Sequence, residues 1–577
     1  MKKVIIFFVV LFIGVLNVQA EDTLELCEYS DEYKAWLNLS EEEKADTVMP
    51  PICKQKTHDV TLLGSNDYSM DYFNLADSGK VTGVRDQAAS DDCWAFASLA
   101  SIESNLLMNN IDIGFLSPAH LELMTQNSLY TPSFTTFNRD FNSGGNMRMT
   151  AAYVLNYWGP VKEDDMPFQT TLDLINVTRT IGESDVVSKK AMVDVDDLLY
   201  ITNSQGICSN NTINLIKQYI VNYGAISTSV YFNNSYVNGK YYYYNGTNLS
   251  NHAVALVGWD DNVEVTSFNN RATRKGAWIA KNSYGTSVGD GGYFYISYDD
   301  MNICTDALGF YNADLNMSDE VYYYDDLGVN LTIQSTSDVN YVANYFVKKS
   351  QESEKLDKVT FATAMSGMDY TVYYADNING TLENWQEIAS GTTNYPGYIS
   401  VEPNKDIFVS NSYGIIIKFE TDTSTPDLLL VAVEDTLEDS FFATYQITAN
   451  ASRFSLDGSE WHTMATELED DEVVEAQFAI RAYTSYEEPS VPVEPTPDED
   501  LPPQEEIPTI NDSGSITIEN PNGSLSDIVG DTTPTDTPTE VVENPQTGMI
   551  SGISIVIVLA IIGIVIYYKK KNKIFKI

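Results

Sequence analysis

Cys93 begins a segment whose apolar residues recur at helical spacing, including Leu99, Ile102 and Leu106. The spacing predicts a helix with Cys93 at its N-terminus. The helix dipole and the free backbone N–H groups at such a position favour a thiolate, which is a strong nucleophile toward carbonyl carbon. A lone cysteine is more often a buried, inert thiol. A catalytic role for Cys93 therefore requires a partner base.

The chain has only four histidines, and one of them opens a strand-like run, His252 to Trp259. An imidazole can take the proton of a thiol and later return it to a leaving group. Asn282 follows in the run Trp-Ile-Ala-Lys-Asn-Ser-Tyr-Gly, and Gln87 precedes Cys93 by six residues. Taken alone, Asn282 and Gln87 would be read as ordinary polar groups of turns.

These motifs, in this order, resemble the papain family of cysteine proteases. They are Gln87, Cys-Trp-Ala-Phe from Cys93, His-Ala-Val from His252, Asn-Ser-Tyr-Gly from Asn282, and Gly-Tyr at Gly292. The resemblance implies an α+β papain-like domain over residues 66–312, with a helical half and a β-barrel-like half. It implies a cysteine-type peptidase that needs no cofactor and holds no metal.

The resemblance assigns a role to each motif residue. Cys93 would be the nucleophile, and His252 would hold the thiolate as an ion pair and protonate the leaving amine. Asn282 would orient His252 through a hydrogen bond, which Tyr284 would screen from water. Gln87 would donate its side-chain amide to the oxyanion beside the Cys93 backbone N–H.

Two glycines complete the predicted substrate-binding set. Gly144 and Gly145 would lie along the cleft, where the lack of a side chain lets the substrate backbone pair with the enzyme. A plain turn explains this glycine pair nearly as well.

The sequence departs from the family pattern around Cys93. Asp91 and Asp92 precede it in place of small residues; they either raise the pKa of the thiol or cap the helix harmlessly. The family often links two cysteines here, one of them three residues before the nucleophile, and Ser90 and Asn142 stand at or near those positions.

The spacing of the motifs also departs from the family pattern. His252 and Asn282 lie farther along the chain than the usual distance of about 130–150 residues from the nucleophile. This spacing predicts insertions near residues 170–207 and 260–275.

Residues 318–485 contain recurring β-branched and alternating runs separated by turn residues, which predict an all-β sandwich. This part resembles the lectin-like domain that accompanies papain-like proteases on clostridial surfaces. The resemblance implies binding of a cell-wall glycan, with or without a calcium ion. A domain that only packs against and supports the protease is an equally good interpretation.

The N-terminal end of the chain indicates secretion. Residues 1–20 have the positive start, short apolar core and small terminal residues of a signal peptide, with cleavage predicted after Ala20. Residues 21–65 stand where the family keeps an inhibitory propeptide, and we expect them to lie in the cleft and to be removed on activation. Cys27 could pair with Cys53, and Cys208 with Cys304.

The C-terminal end indicates attachment to the cell surface. Residues 487–543 form an acidic stretch rich in proline, which predicts an extended stalk. Residues 544–577 then combine Asn-Pro-Gln-Thr-Gly, a predicted transmembrane helix at 549–568 and a lysine-rich tail. This order resembles a sorting signal for sortase, which implies anchoring to the cell wall; the alternative is a single-pass membrane anchor.

The formal net charge of −49 makes binding of nucleic acid a poor interpretation. We therefore expect a surface-anchored cysteine endopeptidase of a Gram-positive cell that hydrolyses extracellular or cell-envelope proteins. Two alternatives stay open: a catalytically weak or inactive adhesin that binds glycan on a papain-like scaffold, and a ligase that transfers the acyl group to an amine.

Overall fold

The computed structural model describes residues 24–26, 29–40, 43–44, 47, 50, 66–126, 137, 139–178, 180–202, 207–269, 272–329, 331–335, 337–421, 427–433, 451–463, 465–467 and 473–487. The chain divides after Pro492 into two units, and every described residue belongs to the first. The signal peptide, stalk, sorting signal and transmembrane helix that the sequence predicts lie outside the described residues. Among those that are described, no helix is both long and apolar enough to cross a membrane.

The described α-helices are short, except for the two that begin at Cys93 and Asn210, which have 16 and 14 residues. They are α1 (Asp31–Leu37), α2 (Cys93–Met108), α3 (Pro118–Met124), α4 (Met147–Leu155), α5 (Gln169–Ile175), α6 (Glu183–Val187) and α7 (Asn210–Tyr223). Short 3-10 helices cover Leu75–Ser78, Asn234–Tyr236 and Val265–Ser267.

Strands make up most of the remainder. They are β1 (Leu24–Leu26), β2 (Tyr72–Asn74), β3 (Asp197–Thr202), β4 (Ile226–Val230), β5 (Val237–Asn238), β6 (Tyr241–Tyr242), β7 (His252–Asp260), β8 (Ala277–Lys281), β9 (Tyr293–Ser297), β10 (Asp306–Tyr311), β11 (Glu320–Tyr322), β12 (Leu331–Ser335), β13 (Val339–Val347), β14 (Glu354–Thr363), β15 (Asp369–Ile378), β16 (Thr381–Thr392), β17 (Gly397–Val401), β18 (Ser412–Glu420), β19 (Asp427–Val433), β20 (Ser452–Ser455), β21 (His462–Thr463), β22 (Ala465–Glu467), β23 (Val473–Phe478) and β24 (Ile480–Tyr486).

Helix α2 carries Cys93 and lies in the centre of the first domain. Its residues from Trp94 to Leu106 are buried on every side, as expected of a helix that is apolar around most of its circumference. Its N-cap residue, Asp92, makes no side-chain capping hydrogen bond, so the structure does not bear out the harmless cap, one of the two alternatives for Asp92.

One 13-stranded sheet runs through both predicted domains. Its order is β11-β24-β14-β17-β3-β10-β4-β7-β8-β9-β6-β5, with β2 paired to β7. Strand β3, which falls in the predicted insertion near 170–207, pairs with β10 of the first domain and with β17 of the second. A papain-like domain followed by a β-rich domain is as expected, but the sequence does not predict a sheet shared between them.

Gly397 makes the junction between β3 and β17 possible. Its φ is +138°, and a Cβ atom there would lie 1.9 Å from the carbonyl oxygen of Leu198. Any other residue would force the two strands apart, because the clash is with backbone.

Two further sheets, of five strands (β1-β12-β19-β23-β22) and six strands (β16-β15-β18-β13-β20-β21), complete the described structure.

The sequence leaves two cysteine pairings open and predicts that residues 21–65 lie in the cleft. Cys208 and Cys304 form a disulfide with a Cα–Cα distance of 5.4 Å, whereas Cys27 and Cys53 lie outside the described residues. Strand β1 pairs with β12 of the second domain, a partner that the sequence does not predict. Removal of this N-terminal segment on activation stays a prediction.

Candidate active site

The N-terminus of α2 meets the beginning of β7 at Cys93. The backbone N–H groups of Ala253 and Trp94 donate hydrogen bonds toward the Cys93 sulfur. Ala253 directly follows His252, the first residue of β7. The structure thus brings the two halves of the first domain together at the predicted nucleophile and its predicted base.

His252 and Asn282 come together because β7 and β8 are antiparallel neighbours. His252 opens β7, and Asn282 directly follows the last residue of β8, so both lie at the same end of the strand pair. Nε2 of His252 lies 2.7 Å from Oδ1 of Asn282. Since that oxygen can only accept, Nε2 carries the proton and donates. Asn282 therefore orients the imidazole.

Tyr284 covers the imidazole. Its ring stacks on that of His252 with 4.7 Å between centroids and an interplanar angle of 22°. Its hydroxyl lies 3.2 Å from Nδ1 of His252, and Phe232 packs on both rings. Nδ1, the ring nitrogen that faces away from Asn282, thus has the Tyr284 hydroxyl as its neighbour. Within the described residues, no hydrogen bond joins His252 to Cys93.

Gln87 is positioned by a short backbone pairing with the segment that follows Asn282. Its backbone N–H donates to the carbonyl of Ser283 at 2.7 Å. Its side-chain Oε1 accepts from the Ser283 hydroxyl at 2.6 Å. Nε2 donates to the carbonyl of Ser90 at 2.7 Å. An amide nitrogen has two N–H groups, so this bond leaves one for another acceptor.

Burial dominates the electrostatics at Cys93. It raises the pKa of the thiol to about 12, and the nearby carboxyl groups of Asp92 and Asp91 act in the same direction. The two hydrogen bonds from Ala253 and Trp94 oppose this shift. Burial at Cys93 therefore opposes the thiolate that the position at a helix N-terminus favours.

Burial acts against the charged form of His252 as well. It lowers the pKa of the imidazole to about 4, although the hydrogen bond with Asn282 favours the charged form. Burial thus opposes the charged forms of both Cys93 and His252. An ion pair between them, as the family resemblance implies, would form by proton transfer within the site.

The two predicted substrate-binding glycines lie beside Trp94, the residue after the nucleophile. Gly144 has a φ of +76°, and a Cβ atom on Gly145 would lie 2.5 Å from the Trp94 ring. Gly145 is therefore required for the segment to approach the helix so closely.

Two residues at this site escaped the sequence analysis, and a third, Asn142, was noted only as standing near the position of a family cysteine. Asn142 accepts a hydrogen bond from the backbone N–H of Asp91 at 2.9 Å, next to the place where the family often has a disulfide. Behind it, Arg139 and Glu122 form a buried ion pair. Nothing in the spacing of charged residues signals this pair, because its members are 17 residues apart in the sequence.

Comparisons with known proteins agree with this geometry. Residues 69–309 match the description "Papain family cysteine protease", and residues 321–484 match "Lectin like domain". Cysteine endopeptidase Rep1 of Oryza sativa is 28% identical over 235 residues, which are 40% of this chain and 54% of the relative. Cysteine proteinase EP-B 1 of Hordeum vulgare is 28% identical over 38% of this chain and 52% of the relative. The chain spans about half the length of these curated relatives.

A solved structure matches both domains together. It contains the cysteine protease and lectin-like domains of Cwp84, a surface layer associated protein of Clostridium difficile, with a TM-score of 0.64 and 24% identity. The match covers 80% of this chain and 98% of that one, and it shows a shared fold. Residues 69–309 of the chain thus match the papain family of cysteine proteases, and residues 321–484 match the lectin-like domains.

Proposed function

We propose that the chain is a cysteine endopeptidase that hydrolyses peptide bonds of extracellular or cell-envelope proteins. The observation that carries this proposal is the meeting of Cys93, at the start of a buried helix, with an imidazole held 2.7 Å from the Asn282 oxygen. Motif order supports it, since the same three residue types occur in the same order in the papain family.

The reaction would begin with transfer of the Cys93 proton to Nδ1 of His252. The imidazolium keeps its Nε2–H bond to Asn282, and the thiolate attacks the carbonyl carbon of the substrate. Collapse of the tetrahedral intermediate breaks the C–N bond as His252 gives its proton to the leaving amine. A water molecule, deprotonated by His252, then cleaves the thioester and releases the acid, which restores the Cys93 thiol.

Gln87 and the glycine segment would serve the substrate. The second amide N–H of Gln87, together with the Cys93 backbone N–H, would donate to the oxyanion. Gly144 and Gly145 would pair with the extended backbone of the substrate, as an added strand does. The Tyr284 ring would exclude water from the hydrogen bond between His252 and Asn282.

Surface attachment and glycan binding belong to the same proposal. The sortase-type signal at residues 544–577 and the signal peptide at 1–20 would place the two domains outside the cell, anchored in the wall. Residues 321–484, which match lectin-like domains, would bind a glycan of that wall. The similarity to the surface layer associated protein Cwp84 is consistent with this location.

Substitution of the nucleophile tests the enzymatic part. Hydrolysis of peptide substrates should be lost in Cys93→Ala, and iodoacetamide should label Cys93 selectively in the unsubstituted protein. Activity that survives in Cys93→Ala would show that Cys93 is not the nucleophile, and a protein that is inactive with Cys93 intact would favour the adhesin interpretation. Product analysis with and without an added amine distinguishes hydrolysis from acyl transfer to that amine.

A further inference from the structure

The loop that ends at Gly145 is tied to the rest of the domain by one buried arginine. Arg139 is only 3% exposed. Its Nε donates to the carbonyl oxygen of Gly144 at 2.7 Å, and its Nη2 pairs with the Glu122 carboxylate. The guanidinium also lies over the Trp94 ring, 5.3 Å from its centroid. Arg139 thus contacts the glycine segment and the first turn of α2 at once.

Glu122 continues this tie to the loop that precedes the nucleophile. It lies on α3 with none of its surface exposed, and its Oε1 accepts from the backbone N–H of Asn142 at 2.7 Å. Asn142 in turn accepts from the backbone N–H of Asp91, two residues before Cys93. Arg139, Glu122 and Asn142 therefore form a polar tie from α3 through the glycine segment to Asp91.

The charges around the tie leave the carboxylate of Glu122 as the counter-ion. Asp92 is fully buried and also faces Glu122 and Arg139. Burial raises the pKa of its carboxyl group well above the ordinary range, and repulsion by the Glu122 carboxylate raises it further. One cation among two buried carboxyl groups favours a single ionised carboxylate. The direct contact with Arg139 makes Glu122 the carboxylate that pairs with this cation.

We propose that Arg139 is a positioning residue that fixes Gly144 and Gly145 for pairing with the substrate backbone, with Glu122 and Asn142 as its supports. The inference rests on the proposed function, because it concerns binding of an extended peptide at the same cleft. The hydrogen bonds of Arg139, Glu122 and Asn142 would replace the disulfide that papain-like proteases often have between the glycine segment and the residues before the nucleophile. A guanidinium suits the role since its planar fork can serve Gly144 and Glu122 together, which an ammonium group does not do in the same geometry.

Two reagents that differ in their need for the glycine segment test this role. Iodoacetamide alkylates Cys93 without pairing with a backbone, whereas a peptidyl epoxide must lie along Gly144 and Gly145 to react. In Arg139→Lys we expect the rate with the peptidyl epoxide to fall by about tenfold to a hundredfold, the range for a lost hydrogen bond to a charged group. The iodoacetamide rate should stay within about twofold, and any peptide hydrolysis should weaken through KM more than through kcat.

A matched substitution and a milder one control for general damage to the fold. Arg481→Lys alters another fully buried pair of an arginine with a carboxylate, that with Asp325, and should leave the ratio of the two alkylation rates unchanged. Asn142→Gly removes the far end of the tie at a residue with φ of +57°, where glycine is comfortable. It should lower the same ratio in the same direction.

Equal falls in both alkylation rates for Arg139→Lys, or no fall in either, would overturn the positioning role. If Arg139→Lys does not fold, an unchanged ratio in Asn142→Gly overturns it instead. Neither alkylation requires turnover, so the ratio still reports on Arg139 in a protein that hydrolyses no peptide. A failure of the proposed function is therefore distinguishable from a failure of this inference.

Discussion

Nε2 of His252 donates to Oδ1 of Asn282 across 2.7 Å, and this bond fixes which ring nitrogen is free to take a proton. Asn282 is buried and also accepts from the backbone N–H of Ser283 through the same oxygen. The imidazole therefore has a single orientation, with Nδ1 turned away from Asn282.

The first prediction concerns Asn282. In Asn282→Ala the imidazolium would lose its acceptor, so kcat/KM for peptide hydrolysis should fall by about tenfold to a hundredfold. In Asn282→Asp a carboxylate would face Nε2 and favour the charged imidazole, so the pKa read from the pH dependence of Cys93 alkylation should rise for His252. An alkylation profile that is the same in all three proteins would contradict this account of the site.

The second prediction concerns stability in acid and a histidine far from catalysis. His120 is fully buried, with Nδ1 2.6 Å from the Tyr153 hydroxyl, and burial lowers the pKa of its imidazole to about 4. Below its ordinary pKa of about 6.5, the unfolded chain takes up a proton that the folded chain does not. The free energy of unfolding should therefore decrease as the pH falls from about 6.5 to about 4, by about 2–3 kcal/mol from His120 alone.

Urea unfolding of Cys93→Ala at several pH values, with and without His120→Gln, isolates this contribution. The glutamine variant is expected to be less stable at neutral pH, but its stability should change less between pH 6.5 and pH 4. Parallel curves for the two proteins would show that His120 takes up its proton equally in both states.

The third prediction concerns the disulfide. Cys208 and Cys304 are separated by 96 residues, and a link across a loop of that size restricts the unfolded chain by about 4–5 kcal/mol in the chain-entropy account. Replacing both cysteines with serine, in the Cys93→Ala protein, should lower the melting temperature markedly. Reductant should lower the melting temperature of Cys93→Ala in the same way and leave the serine variant unaffected.

The fourth prediction concerns the shared sheet. Arg481 of β24 is fully buried and pairs with Asp325 at 2.6 Å, and it also binds the Asn156 side chain at the end of α4. Arg481→Met would leave Asp325 as an unpaired buried carboxyl group, which destabilises by about 3–5 kcal/mol.

Unfolding should follow one transition, seen at the same denaturant concentration by tryptophan fluorescence and by loss of the selective alkylation of Cys93. Lys275→Met, which removes an exposed pair with Glu264, should change nothing measurable. Two separate transitions in the unsubstituted protein would show that the two domains fold independently.

The catalytic candidates could be predicted from the sequence because each lies in a short motif. Cys93, His252 and Asn282 are each flanked by residues that define a local element: a helix start, a strand start and a strand end. The order of these motifs along the chain indicates the papain family, and the comparisons confirm this resemblance. The roles of these residues stay predictions until the substitutions are made.

The supports of the site depend on contacts between distant segments, and these are not visible in local patterns. Arg139 and Glu122 meet although they are 17 residues apart in the sequence, and strand β3 reads from the sequence only as an insertion. The environment of Cys93 could not be predicted either, since the helix position favours the thiolate whereas burial, which depends on the whole fold, acts against it. Such balances are decided by packing that no single segment encodes.

Strand β3 has a protease strand on one edge and a strand of the lectin-like domain on the other. The lectin-like domain therefore cannot rotate as a rigid body relative to the protease domain without breaking backbone hydrogen bonds of the shared sheet. A ligand bound by the lectin-like domain would therefore fix the orientation of the cleft as well. The protease would act only on substrates at a set distance and direction from the place where that ligand is bound.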